Sequence, residues 1–343
     1  MRISAAGIIN NKNFDSIILG ASLSQNFSSQ EASEIFDTNF VNISLAGASI
    51  TERSLPLKHA LREKKLEYII SSLDWWNIDT MPISEKAIAP YSYLYDENSL
   101  NDLKIYFTNP GMLKYSLCRN ILFPSDYFCK TTKDSIEKLV EWQSDPTVNS
   151  RFGGLNKWLE ASKSQPVLID ILEDIAKKIA DINSSLIKEV DFNRVTIKNK
   201  INENNFNDYL LKHAIKNQDT QFFLFFPPLS RLNFSLLKQG NPQAFAEYIQ
   251  FIRTVIRNTQ NYDNIHVFGF ETESFLENLS FYSDTFHYHQ KFNSKILHWM
   301  KDQEYILNPE NLETYIKEIN IRAAEYPLEP IRLQIDSYFK SSN

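Results

Sequence analysis

Glycine is scarce in this chain, with eight residues in 343. A glycine that closes an apolar run therefore marks a place where the backbone must turn or approach a neighbour closely. Cysteine is scarcer still: Cys118 and Cys129 are the only two. They can pair in a compartment that oxidises thiols, but they form no disulfide framework and no zinc-ligand spacing. Basic clusters are missing too. The net charge is -6 with a pI near 5.6, which leaves no electrostatic footprint for nucleic acid. No run of about 18 apolar residues occurs, so no transmembrane segment is expected in this chain. The opening Met1-Arg2-Ile3-Ser4-Ala5-Ala6-Gly7 has one charge and a short apolar stretch, too little for a signal peptide. The protein is then cytoplasmic, or a leader or anchor precedes this chain.

What is present is apolar and aromatic residue, 43% and 13% of the chain, enough to fill a sizeable core. The stretch Phe14 to Phe27 organises it. Ile17-Ile18-Leu19 ends at Gly20, and Ser22 follows where the chain must leave the strand. That places Ser22 at the C-terminal edge of a parallel strand, the edge at which ligands and reactive groups collect in open α/β sheets. Ser28-Ser29-Gln30-Glu31 then reads as a capping box opening a helix over about 29–37. The same pattern also suits an ordinary βα loop.

Phe40 to Ser49 gives a second strand ending at Gly47, and Thr51 is placed to cap the amphipathic helix after it. Leu66 to Leu73 gives a third strand, ending at Asp74-Trp75-Trp76-Asn77. Parallel neighbours need helical crossovers, so two βα units in about seventy residues predict a doubly wound parallel sheet. Thr220 to Phe226 is a fully apolar fourth strand, and Asn264 to Phe270 closes the sheet at five. The expected fold class is thus a three-layer α/β/α sandwich.

Between strands three and four the pattern loosens. Ser99 to Phe107, Pro110 to Leu122 and Ser135 to Glu141 are its best helical pieces, followed by helices over Val167 to Lys188 and Glu203 to Asn217. One domain over 1–343 is expected, with 78–200 a mainly helical insertion or lid and 305–343 a C-terminal extension. Asn241-Pro242 starts a helix to about Thr259, and another runs from about Gln290 to Lys301. After Pro330 the tail is polar, although Ile331, Leu333, Ile335 and Phe339 can dock a last helix.

The chemistry-bearing candidates lie at the ends of these strands. Asp284-Thr285-Phe286-His287 precedes the 290–301 helix and can meet Ser22 at one sheet edge. In Ser-His-Asp chemistry the histidine removes the hydroxyl proton and the aspartate fixes its tautomer. Asp-x-x-His is also a common turn. Asp284, His287 and His289 are metal-ligand types, but the triad reading is preferred for them, and no metal and no cofactor are expected. His59, His213, His266 and His298 read as packing or surface residues. Trp75 and Trp76 are core aromatics or a stacking platform for sugar at the functional edge.

Ile18-Leu19-Gly20-Ala21-Ser22, Ile43-Ser44-Leu45-Ala46-Gly47 and Asp284-Thr285-Phe286-His287, in this order at three strand ends, resemble the SGNH (GDSL-type) hydrolase superfamily. The resemblance covers about 14–77 and 220–300 and is greatest to a bacterial cell-envelope branch similar to polysaccharide O-acetyltransferases and esterases. It implies a flavodoxin-like sheet, with Ser22 as nucleophile, His287 as base and Asp284 as its partner. It also implies an oxyanion hole from the backbone N–H groups of Ser22 and Gly47. Preorganised donors of that kind are worth roughly 3 kcal/mol each.

The family's third block supplies an asparagine side chain where this chain has Asp74. Either the Asp74 carboxyl is neutral, or it points elsewhere as a helix cap or salt-bridge partner, or Asn77 takes the role. The implied function is a serine esterase or O-acyltransferase acting on an acylated cell-envelope carbohydrate or small acyl ester. The implied location is periplasmic or cell-envelope, given a leader or anchor. The alternative is a catalytically inactive module that binds glycan or a partner protein.

Overall fold

Ser16–Leu19 form strand β1, and all four residues are buried. It lies in a five-stranded sheet with β2 (Phe40–Asn42), β3 (Tyr68–Ser72), β4 (Gln221–Phe226) and β5 (Ile265–Gly269). Every pairing is parallel and the order is β2-β1-β3-β4-β5. The computed structural model describes residues 2–78, 92–95, 145–184 and 189–342.

That order is flavodoxin-like, and its handedness places the helices. The chain steps from β1 outward to β2, then back across β1 to β3. Right-handed crossovers therefore put α3 (Ser29–Phe36) and α4 (Ile50–Glu63) on opposite faces. On the α4 side lie α1 (Arg2–Asn11) and the helices Phe192–Phe206 and Pro242–Thr259, while Lys291–Lys301 packs on α3. The result is a three-layer α/β/α sandwich. The direction of travel reverses at β1 and β3, which opens a crevice at their C-terminal ends.

β4 explains why the central strands read as unbroken apolar runs. Phe222, Phe223, Leu224, Phe225 and Phe226 are all buried, because helices cover both faces. One core cluster reaches from Ala5 to Ile335. It takes in Leu155, Trp158 and Leu159 of the helix Leu155–Ser162, so the end of the expected insertion packs into the body of the domain. Helix Pro166–Ser184 buries Leu168, Leu172, Ile175 and Ile179 and packs against the last helix, Glu329–Ser342. Ile331 and Ile335 of that helix are buried and Leu333 is exposed, so the polar tail is docked. The extension also covers the outer edge of β5, where Leu307 N–H donates to the Val267 carbonyl at 2.7 Å.

Several sequence expectations need correction. The cap of α4 is Ser49, not Thr51: Ser49 Oγ accepts from Glu52 N–H and the Glu52 carboxylate accepts from Ser49 N–H. The second strand stops at Asn42, and the chain then bends towards Gly47. The expected Glu203 to Asn217 helix begins earlier, at Phe192 behind an Asp191 cap, and loosens into a π turn over Asn207–Leu211. Ser28 caps α3 by accepting from Glu31 N–H at 3.1 Å, but the Glu31 carboxylate turns to the Ser294 hydroxyl. Helices α1 and Leu155–Ser162 were not expected. The pieces expected within 99–141, and Cys118 with Cys129, lie outside the described residues.

Candidate active site

Ser22 is the first residue of α2 (Ser22–Gln25), directly beyond β1. Gly20 makes the turn possible, because a side chain there would run into the hydroxyls of Ser24 and Ser72. The short helix is clamped at its other end by Asn42. Its Nδ2 donates to the carbonyls of Ser24 at 2.9 Å and Phe27 at 3.0 Å, and its Oδ1 accepts from Ser44 N–H. One amide thus ties α2 to the end of β2.

His287 reaches Ser22 from the far end of the chain. Its Nε2 lies 3.0 Å from Ser22 Oγ, and its Nδ1 lies 2.7 Å from Asp284 Oδ2. Asp284 Oδ1 accepts from the backbone N–H groups of Phe286 and His287, at 2.8 and 2.9 Å. Burial pushes the Asp284 pKa up, but the His287 charge and these hydrogen bonds outweigh it, and the carboxyl is held below the usual aspartate range. An ionised Asp284 accepts only, so Nδ1 carries the proton and Nε2 is left to accept from the Ser22 hydroxyl. The His287 side chain remains 27% exposed, enough for a ligand to reach it.

The loop that carries His287 is fastened at both ends. His289 N–H donates to the Phe281 carbonyl at 2.8 Å and Ser283 N–H to the His287 carbonyl at 2.9 Å. Its base is buried: Tyr282 donates to the Pro228 carbonyl at 2.9 Å, and Trp158 Nε1–H donates to the Tyr282 carbonyl at 2.9 Å. Ser230 Oγ holds the Thr285 carbonyl at 2.7 Å. His289 itself packs on the Phe152 ring, and its Nδ1 accepts from Lys291 N–H. No group of three potential metal ligands comes together among the described residues.

Gly47 is exposed and adopts φ +63°, which favours glycine. Leu45 N–H donates to the Gly20 carbonyl at 2.8 Å, so the Gly47 turn lies against the turn that carries Ser22.

Asp74 is fully buried and salt-bridged to Arg53 of α4 at 2.8 Å. The same guanidinium nitrogen donates to the Ser72 carbonyl, and the Ser72 hydroxyl donates to Asp74 Oδ2 at 2.6 Å. Of the readings open for Asp74, the salt-bridge partner is the one found. It precedes the turn Trp75–Asn77, but its side chain makes no cap hydrogen bond there. Burial lowers the Arg53 pKa, against the raising effect of Asp74. Burial first, and then the Asp74 charge, raise the pKa of the neighbouring Tyr288.

Asn77 ends that turn, with its backbone N–H on the Asp74 carbonyl at 2.8 Å. The Trp75 ring lies on Tyr248 at 5.4 Å, whereas Trp76 meets Phe286 edge-on at 5.5 Å, beside His287. Trp75 is therefore used in packing, and Trp76 lies half-buried against the residue that precedes His287. His59 and His266 are hydrogen-bonded to Asn10 and Gln221, away from this edge.

Arg53, Trp158 and Asn42 were missed from sequence. Arg53 did leave a trace, since it falls between Ile50 and Leu57 on the buried stripe of α4. No helix among the described residues is long and apolar enough to cross a membrane. No protein-family model matches the chain, and no curated protein matches it.

Proposed function

We propose that the protein is a serine esterase or O-acyltransferase of the SGNH type, forming a covalent acyl-enzyme on Ser22. The Ser22–His287–Asp284 chain of hydrogen bonds carries this reading. His287 Nε2 takes the hydroxyl proton as Ser22 Oγ bonds to the acyl carbon. Negative charge moves to the carbonyl oxygen, which faces the N–H groups of Ser22 and Gly47. Asp284 balances the imidazolium. Collapse breaks the ester C–O bond, and His287 returns its proton to the departing alcohol. Water or a sugar hydroxyl then attacks the acyl-enzyme, again giving its proton to His287, and Ser22 is regenerated.

The favoured substrate is an acetylated carbohydrate, because the half-buried Trp76 and the exposed Phe286, next to His287 in sequence, offer aromatic surface on which a pyranose ring can pack. A cell-envelope setting belongs to the same reading. Asp74 at the third-block position favours a second reading, in which the fold is kept as a glycan- or protein-binding module. The Arg53 pairing weakens that objection by supplying the buried carboxylate with its counter-charge.

A fluorophosphonate probe and a chromogenic acetyl ester separate the two. The esterase reading expects labelling that is lost in Ser22→Ala and strongly reduced in His287→Ala. No labelling of Ser22, or labelling indifferent to His287→Ala, would leave the binding module.

A further inference from the structure

A cleft of about 440 Å³ is lined by the start of helix Lys291–Lys301 and by two turns that precede the catalytic loop, Ser274–Glu277 and Leu279–Phe281. No member of the triad lines it. Its floor is aromatic. Phe275 stacks on Phe292 with ring centres 3.8 Å apart and planes 10° apart, and Phe281 meets Phe292 edge-on at 5.1 Å. Phe275 and Phe292 are buried, so the polar residues Ser274, Asn278, Lys291 and Lys295 make the exposed rim.

That rim offers donors and positive charge. Lys291 and Lys295 are four residues apart, which puts both ammonium groups on one face of the helix. The Lys291 ammonium lies over the Phe281 ring at 3.9 Å, and Lys295 lies over Phe292 at 5.6 Å. The rings hold the charges in place but accept none of their N–H groups in an ordinary hydrogen bond. Asn278 Oδ1 already accepts from Ser280 N–H at 2.9 Å, which leaves its NH2 for a ligand. Ser274 adds a hydroxyl.

No acidic side chain lines the cleft, although the net charge of the chain is -6. Of the carboxylates on the adjoining turn, Glu273 accepts from the Tyr305 hydroxyl at 2.6 Å and Glu277 is paired with Arg322 at 2.7 Å. Like charges four apart on a helix repel. An anion between the two lysines turns that repulsion into attraction.

We infer that this cleft binds a phosphoryl group, carried by a small solute or by a phospholipid headgroup. A phosphate monoester brings three acceptor oxygens and nearly two negative charges, which match two ammonium groups, an amide and a hydroxyl. A lone carboxylate has fewer of both. The volume leaves room for the body that carries the phosphate. The site does not depend on the chemistry proposed for Ser22.

The test is isothermal titration calorimetry of the full chain with glycerol 3-phosphate, phenyl phosphate and glycerol. Both phosphates should bind and glycerol should not. Lys291→Gln/Lys295→Gln should weaken binding about tenfold or more, the worth of one charge-assisted hydrogen bond. Ser274→Ala/Asn278→Ala leaves the net charge unchanged and should still weaken it about threefold to tenfold. Lys301→Gln removes a charge from the same helix outside the cleft, where Lys301 lies over Phe36, and should change little. Circular dichroism checks each fold, and the uncharged pair decides the matter if the lysine variant does not fold.

Cosedimentation with vesicles of phosphatidylcholine, with and without phosphatidic acid, separates the two carriers. Binding that needs phosphatidic acid and is lost in the lysine variant marks a headgroup. Solute binding without cosedimentation marks a soluble phosphate ester. Either result upholds the site. It is overturned if no phosphate binds in a way these cleft variants alter, if Lys301→Gln weakens binding as much as they do, or if tetraglutamate binds and the phosphates do not.

Discussion

His287 and Asp284 are joined twice: one carboxylate oxygen takes the ring Nδ1–H at 2.7 Å, and the other takes the backbone N–H of the same histidine at 2.9 Å. The aspartate therefore fixes both the tautomer of the ring and the turn that presents it.

Asp284→Asn separates these two effects. The two backbone N–H groups demand an acceptor, so the amide oxygen stays on them and its NH2 faces Nδ1. That forces the proton to Nε2, where it confronts Ser22. We expect kcat to fall about a thousandfold to ten-thousandfold, with a near-native circular dichroism spectrum. A loss below tenfold would show that Asp284 does not set the tautomer.

The Arg53–Asp74 pair predicts a stability asymmetry. Arg53→Met alone strands a fully buried carboxylate and should cost about 3–5 kcal/mol. Arg53→Met/Asp74→Leu removes both charges and should recover most of that loss. Urea denaturation of the two variants measures this. Equal destabilisation would mean that the pair is not coupled.

Glu271 follows β5 and is fully buried, accepting from the hydroxyls of Tyr248 and Tyr315. Burial raises its pKa from 4.5 to about 7, against the lowering effect of those bonds. A carboxyl with a raised folded-state pKa contributes stability that is fully present below its unfolded value of 4.5 and is lost as pH rises through about 7. A shift of that size corresponds to roughly 3 kcal/mol between the two limits. Urea midpoints should fall from pH 5 to pH 8, and Glu271→Gln should flatten that slope. An unchanged slope in Glu271→Gln would assign it to other groups.

Trp158→Phe keeps most of the buried ring but leaves the Tyr282 carbonyl without its 2.9 Å donor. The expected cost is about 1–3 kcal/mol. The loop that carries His287 stands on that carbonyl, so on the esterase reading kcat on a small ester should drop severalfold while KM changes little. A stability loss with unaltered kcat would show that the loop holds its geometry without Trp158.

The sheet was legible because strands buried on both faces leave continuous apolar runs, as in Phe222 to Phe226. Ser22 was legible because a rare glycine had to sit where Ser24 and Ser72 crowd the turn. Asp284 and His287 were legible because both belong to one short loop. The partners of these residues were not. Arg53 meets Asp74 from another element, and Trp158 meets Tyr282 from 124 residues away; no local spacing encodes either contact. The start of the Phe192–Phe206 helix was hidden because Phe192, Ile197 and Ile201 are exposed and blur its apolar stripe. At α4 the decisive pattern was readable, since Ser49 and Glu52 form the reciprocal box that Thr51 cannot.

The hydrogen bond between Ser22 and His287 spans 265 positions of sequence. On the esterase reading, the Ser22 hydroxyl cannot be activated until the segment that carries His287 has been synthesised and has docked beside it. Contacts so distant along the chain form late. On that reading a half-folded molecule carries an ordinary alcohol at position 22, and fluorophosphonate labelling of this serine would double as an assay for completed folding.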